Sequence, residues 1–455
     1  MGSVMRLRPY QQKWLNAIRD AHRAGHLGVI GQMPTGAGKT VAGIAAPCRI
    51  IVARGGSALL LVHRDELVRQ TADKLEKFGL SYGVIAAKWG KNPNPDAPIQ
   101  IAMVQTLRNR LDKIRKPTYI IVDECHLAAA RTYTTILDHF HDVRRLGLTA
   151  TPCRMDGAGL ESLGSHLIQG PTVGDMNAIW RNNSHSGLVP ARCWSIPVAN
   201  LAEIRTNRHG EYDMKSAAMQ YEKQSLVGDV VDEYIKHAKD RKGIVFCTSV
   251  EHSISIVDDF TAKGIKARHI DGSTPTPERV ATLKALETGD IQVITNCSVL
   301  VEGLDITSIG VISLAVPTRS LSKYLQMVGR ASRPHPGKTD YLVLDHGGCV
   351  LRHGTPDHER EWSIKAKEKG KRAEKGMVMA RVCKDCMFAN PPEELHCQQC
   401  GTILLRPRKV DTRKGTLVEV KGNKAPVSAR KKQWLRQHFY NKKLREMDAF
   451  YEEIA

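Results

Sequence analysis

The chain has 455 residues, 42% of them hydrophobic, and carries 67 Lys and Arg against 47 Asp and Glu, a formal charge of +20. That much apolar material suits two or three packed domains, and the basic surplus favours a polyanionic partner without bearing on the fold. There is no uncharged apolar run of about 18 residues and no secretory leader pattern, so no membrane span or export is expected and the cytoplasm of the host cell is the default location. Residues 1–4, MGSV ahead of Met5, read as an appended leader or alternative start and carry no fold argument.

From residue 28 to about residue 150, short β-rich runs alternate with segments of helical pattern: LGVIGQM, TVAGIAAPCRIIVA, ALLLVH, DELVRQTADKLEKFG, YIIVDECH and LGLTATP. Near-continuous apolar strands in that alternation predict a parallel sheet covered by helices. MPTGAGKT at 33–40 lies between a β-run and a helical one, where a phosphate-binding loop belongs, but Met33 stands where the pattern has its first glycine. In such a loop, entered through Pro34, the backbone N–H groups of Thr35, Gly36, Ala37, Gly38 and Lys39 cradle phosphate, the Lys39 side chain reaches the β- and γ-phosphates, and the Thr40 hydroxyl ligates Mg²⁺. A glycine-rich structural turn is the other reading. In IIVDECH, Asp123 ends an apolar strand, where a metal held against a triphosphate needs a second ligand, and Glu124 beside it can polarise the attacking water. Two acids at a strand end also suit a helix N-cap and a surface charge.

Residues 156–224 have weak apolar periodicity and are rich in Gly, Asn, Ser and His, which reads as a connecting segment. A second alternating series then runs through GIVFCTS, SISIVDDFTAKG, KARHIDG, PERVATLKALETG, IQVITNC, GVISLAV and DYLVLDHGG. The expected organisation is an α/β unit over 1–155, the connector, a second α/β unit over 225–350, a basic linker over 351–382, a four-cysteine element over 383–401, and a basic tail over 402–455 with a helix from Arg430. Residues 351–455 hold 24 basic and 14 acidic side chains, a net of +10, which is also what a solvated charged tail would show.

Of eleven cysteines, seven are scattered and four form CKDC and CQQC. Two C-x-x-C pairs can place the thiolates of Cys383, Cys386, Cys397 and Cys400 around Zn²⁺ in a closed structural site. His396 as a substitute ligand and free or redox-active thiols are the alternatives, and no structural disulfide is expected.

GAGKT, VDECH, LTATP and QMVGRASRP, in that order over residues 6–350, resemble the superfamily-two nucleic-acid helicases and translocases of the DEAD/DEAH type, here spelled DECH. The resemblance implies two tandem RecA-like domains and ATP as substrate. RLRPYQQKWL resembles the adenine-reading element, which implies Gln11 on the base edge and Arg8 and Tyr10 near it. LVHRDELVRQ and VQTL resemble strand-contacting motifs, which implies Arg64, Gln105 and Thr106 near the nucleic-acid backbone, and Thr149 and Thr151 of LTATP couple hydrolysis to movement. In the second unit, IVFCTSVEHS and TNCSVLVEGLDI imply Thr248 and Thr295 at nucleic acid and Gly303 and Asp305 at the nucleotide. QMVGRASRP implies Gln326 positioning water and Arg330 and Arg333 as arginine fingers, although arginine pairs are also common as surface ion pairs.

With PGKTDYLVLDHGG and the C-x-x-C pairs, the spelling looks most like the RadD branch of bacterial DNA-repair helicases and phage-encoded relatives, but with less chain after the zinc region. The implied partners are single-stranded, forked or branched DNA and repair or recombination proteins. An RNA helicase, a nucleoprotein-remodelling ATPase that never separates strands, and a nuclease motor subunit are the competing readings, the last without a nuclease signature.

Overall fold

The computed structural model describes residues 6–404 apart from 90–93, 128–130, 155–156, 183–185, 196–203, 208–209, 215, 218–229, 298, 301–305 and 367–378. Its first sheet has seven strands in the order β3-β4-β2-β5-β6-β1-β7, every pair parallel. They are β1 (Gly28–Gln32), β2 (Ala58–Val62), β3 (Tyr82–Ile85), β4 (Ile99–Met103), β5 (Tyr119–Val122), β6 (Arg144–Thr149) and β7 (His166–Gln169). Helices α1 (Pro9–Arg23), α2 (Ala46–Ala53), α3 (Asp65–Lys77), α4 (Val104–Leu107), α5 (Arg131–His139) and α6 (Val173–Asn182) accompany them.

Side chains alternate across a strand, so the unbroken apolar runs feed a core on each face. Val29 and Leu60 pack with Trp14 and Ile18 of α1. Ile30, Leu59 and Leu61 pack on the other face with Ile136 and Phe140.

The second sheet has six parallel strands in the order β10-β11-β9-β12-β13-β8. These are β8 (Ala191–Ser195), β9 (Lys242–Cys247), β10 (Ala267–Ile270), β11 (Val293–Cys297), β12 (Ile309–Ala315) and β13 (Tyr341–Asp345). Its helices are α7 (Val230–Ala238), α8 (Val250–Ala262), α9 (Thr276–Thr288), α10 (Leu321–Val328) and α11 (Cys349–His353).

Residues 156–224 do more than connect. β7 pairs with β1 in the first sheet and β8 pairs with β13 in the second, so the segment supplies an edge strand to each. HLIQ and ARCWS are too short to show a period, and only their neighbours make them strands.

The start of the expected basic linker is also built into the fold. After α11 the chain crosses back to the first lobe, where Ile364 joins the core with Leu160 and Leu163 and the Leu160 amide donates to the Ile364 carbonyl at 2.7 Å. The four-cysteine element forms a small hairpin, β14 (Arg381–Val382) with antiparallel β15 (Ala389–Asn390). It lies on the open edge of β8, where the Ser195 amide donates to the Met387 carbonyl at 3.0 Å and the Phe388 ring meets Trp194 edge to face at 5.2 Å. Covering a sheet edge removes a template for unwanted strand pairing. The tail beyond 404, with the helix expected from Arg430, lies outside the described residues.

Candidate nucleotide site and the cleft beside it

β5, β6 and β1 are neighbours in the first sheet, so the loops after them, carrying DECH, TATP and MPTGAGKT, emerge together at the carboxyl ends of the strands. Open α/β sheets bind ligands at that edge. Gly36 and Gly38 both have φ of +87°, and a Cβ on Gly38 would stand 2.4 Å from Gln11 Nε2, so glycine is required there. Gln11 and Tyr10 at the start of α1 both donate to the Ala37 carbonyl at 3.1 Å. The Arg8 guanidinium donates to Tyr10 Oη at 3.2 Å. The start of α1, expected to read adenine, is thereby fastened to the glycine-rich loop through Tyr10 and Gln11.

Met33 explains the unusual spelling. Its side chain is fully buried in the first-lobe core, and its carbonyl accepts from Lys39 Nζ at 3.0 Å. It belongs to the sheet, outside the Thr35–Thr40 cradle.

Lys39, Asp123 and Glu124 form a partly buried cluster of opposite charges. Burial lowers the Lys39 pKa, against the pull of Glu124 and Asp123. Burial, then the Glu124 charge, raises Asp123 to about 6. For Glu124 burial acts upward, but the His126 hydrogen bond and the Lys39 charge outweigh it and hold the carboxyl low. The pair therefore splits, with Glu124 the more firmly ionised. Glu124 also sits at φ +47°, a strained conformation for a non-glycine residue and one that recurs at functional sites.

His126 is a site residue that sequence reasoning passed over. Its Nδ1 lies 3.4 Å from Glu124 Oε2 and 3.1 Å from Thr149 Oγ1, and its Nε2 lies 3.3 Å from Ser322 Oγ on α10 of the second lobe. Thr151 Oγ1 donates to the same Ser322 hydroxyl at 2.8 Å. A continuous polar chain thus joins the acid of DECH, both threonines of TATP and the helix that carries Gln326. DECH itself was the only sequence signal for His126, and Ser322 had none.

The second lobe brings its cations to the same place. A Cβ on Gly329 would lie 2.7 Å from Thr35 Cβ, and one on Gly36 would lie 3.4 Å from Arg333 Cγ, so QMVGRASRP rests on the phosphate loop. Arg330 is near enough for its charge to lower both Lys39 and Glu124. Gln326 Nε2 is buried with no hydrogen-bond partner among the described residues. Gly303 and Asp305 lie outside the described residues.

Of the residues expected at nucleic acid, Arg64 caps the start of α3 and lines a cleft of about 760 Å³ between the lobes with Arg69, Lys88, Trp89 and Arg279. The Arg69 guanidinium stands 6.0 Å over the Trp89 ring. Gln105 and Thr106 lie on α4, where the Thr106 hydroxyl accepts from the Ala87 amide at 3.3 Å. Thr248 is almost buried and pairs with His252 at 2.9 Å.

Thr295 requires a correction. It is fully buried within β11, and its hydroxyl donates to the Ser253 carbonyl at 2.9 Å, so it braces α8 against the sheet and cannot touch a polymer.

The Sγ atoms of Cys383, Cys386, Cys397 and Cys400 lie within 4.8 Å of one another, and His396 is not part of the group. The Cys383–Cys400 and Cys386–Cys397 separations are both 3.6 Å. Four thiolates at tetrahedral corners with Zn–S bonds of about 2.3 Å stand about 3.8 Å apart, so the residues fit zinc. The two halves share one turn design. Met387 donates to the Cys383 carbonyl at 3.0 Å and Gly401 to the Cys397 carbonyl at 2.8 Å, and both donors have positive φ, +59° and +78°. Purified protein is expected to hold about one zinc per chain. Cys397→Ser should empty the site and lower the melting midpoint by about 5 °C as the hairpin leaves the β8 edge. Unchanged melting at zero zinc would refute the structural role.

Residues 4–154 match the family model described as type III restriction enzyme, res subunit, and residues 226–335 match the helicase conserved C-terminal domain. A 51.5 kDa protein of a Lactococcus phage (isolate 7-9) is 35% identical over 81% of this chain and 77% of its own length. A Schizosaccharomyces pombe protein named as a candidate mitochondrial ATP-dependent helicase is 30% identical over 77% of this chain, which spans only 58% of that relative. Among solved structures, a fragment assigned to the HsdR subunit of a type I restriction enzyme from Vibrio vulnificus YJ016 shares the fold, with a TM-score of 0.58 at 20% identity over 77% of this chain and 66% of that one. With two matching domain models in tandem over two parallel-sheet lobes, the chain belongs to the superfamily-two helicases.

Proposed function

We propose that the protein couples ATP hydrolysis to movement along DNA, or to remodelling of it, in DNA repair, recombination or replication. The observation that carries this reading is the convergence of Arg330 and Arg333 of one lobe on Thr35–Lys39 and Glu124 of the other, with the Thr151–Ser322–His126 chain between them. Thr35–Lys39 hold the phosphates, and Gln11 and Arg8 hold the base. Thr40 and Asp123 offer the hard oxygen ligands that Mg²⁺ prefers, and the bound ion neutralises phosphate charge.

Glu124, kept ionised by Lys39 and His126, orients the attacking water with Gln326. Its low pKa suits a loose transition state in which the water loses its proton late. Arg330 and Arg333 stabilise the charge spread over the transferring phosphoryl oxygens, and lie on a separate lobe, so hydrolysis is tied to cleft closure.

DNA occupies the cleft of Arg64, Arg69, Lys88 and Arg279, with phosphates on the guanidinium and ammonium groups and a base stacked on Trp89. The RadD-like motif spelling supports a place in repair or recombination. The test is ATP turnover with no polymer, single-stranded DNA, duplex, forked DNA and RNA. Forked or single-stranded DNA should raise turnover most, by about tenfold or more, and lose its effect steeply as salt rises. A profile led by RNA would overturn the DNA assignment, and an unwinding assay on a fork decides between strand separation and remodelling alone.

A further inference from the structure

Lys338 ends the run QMVGRASRPHPGK and has no part in the chemistry above. Its side chain turns inward to a cage of backbone oxygens. Nζ donates to the carbonyls of Ile309 and Ala331 at 2.5 Å, and to those of Thr307 and Arg333 at 3.2 Å. An ammonium has three protons, so four acceptors leave none unused and at least one shared. Burial, then the Arg333 charge, pushes its pKa down to about 7, while four carbonyl dipoles favour the charged form.

The four carbonyls come from two places. Ile309 opens β12 and Thr307 lies in the turn just before it, and β12 is held between β9 and β13 in the second sheet. Ala331 and Arg333 belong to the loop that rests on the phosphate loop. The loop is also held by His335, whose Nδ1 lies 2.9 Å from Thr307 Oγ1, and by the Ser332 carbonyl, which accepts from the Val189 amide at 2.7 Å, but it is Lys338 that ties the Arg333 carbonyl itself to β12. A displacement of about 1 Å at a charge-stabilising group costs about 10²-fold in rate.

We infer that Lys338 is a positioning residue that clamps the Arg333 loop to β12 and sets the height of the Arg333 guanidinium over the phosphate loop. The inference rests on the reading of Arg333 as an arginine finger. An ion-like clamp needs a compact ammonium, and the planar fork of arginine cannot address carbonyls on several sides.

The test uses the full chain with ATP, forked DNA and a non-hydrolysable ATP analogue. Lys338→Met should lower kcat by about 10–100-fold while analogue affinity stays within about twofold. Arg333→Ala should then cost less in the Lys338→Met background than in the parent, because one group acts through the other. Lys338→Arg, which keeps the charge and should fold even if Lys338→Met does not, should lose about 3–10-fold in kcat at unchanged KM. Parental kcat in folded Lys338→Met or in Lys338→Arg overturns the role, as do fully independent effects of the Lys338 and Arg333 changes. If Arg333→Ala alone keeps parental turnover, the finger reading fails and the clamp falls with it. A slow Arg333→Ala beside a fast Lys338→Met sinks the clamp alone.

Discussion

Arg330→Ala is expected to cut DNA-stimulated ATP turnover by about three to five orders of magnitude and yet leave the melting midpoint within about 2 °C of the parent's. The two halves of that expectation have one cause. The Arg330 charge disfavours protonated Lys39 and supports ionised Glu124, so without nucleotide its two contributions to stability oppose each other, whereas a γ-phosphate bound beside it would make it favourable throughout. Removing Arg330 relieves the repulsion with Lys39, withdraws the support of Glu124, and removes the stabiliser of the transition state together. Differential scanning calorimetry beside a coupled ATPase assay reads both quantities. A variant that melts several degrees lower with undiminished turnover would show that Arg330 is an ordinary structural ion-pair partner.

Glu124→Gln should lose about two to four orders of magnitude in turnover while ATP affinity stays near that of the parent. An amide oxygen can still accept from His126, so the polar chain to Ser322 survives, but the negative charge that polarises water is gone. The same change withdraws a charge that supports protonated Lys39, so a modest weakening of phosphate binding at alkaline pH should accompany it. Stopped-flow binding of a fluorescent ATP analogue separates the two effects. Near-parental hydrolysis in this variant would remove Glu124 from the chemistry.

How much of this was legible in the sequence follows from what fixed each residue. Gly36, Gly38 and Lys39 could be read because few residue types can form a backbone cradle with positive φ and a terminal ammonium. DECH could be read because a carboxylate pair at the end of an apolar strand has little other purpose beside a lysine loop. The Cys383–Cys400 quartet announced itself by spacing.

Other features are fixed by neighbours remote in sequence. Ser322 looks like any exposed-face serine at a helix start, and only its distances to Thr151 and His126 give it a part. Thr295 was placed at nucleic acid by motif position, whereas strand alternation turned its side chain into the sheet against Ser253. Strands β7 and β8 have four and five residues, too few for any period to stand out from loop composition.

The return of residues 354–366 to the first lobe has a mechanical consequence. The second sheet is reached by one crossing, between β7 and β8, and left by another, which buries Ile364 beside Leu160. Among the described residues two crossings join it to the first lobe, before β8 and after α11, as two hinges hold a door, and the chain comes back to it once more at the hairpin on the β8 edge. A door so hung swings about the line through its hinges and resists twisting in its frame. Each round of ATP binding and hydrolysis would then be converted into the same swing, and a chain cut at residue 350 would lose one hinge and leave Leu160 and Leu163 without the Ile364 side chain that covers them.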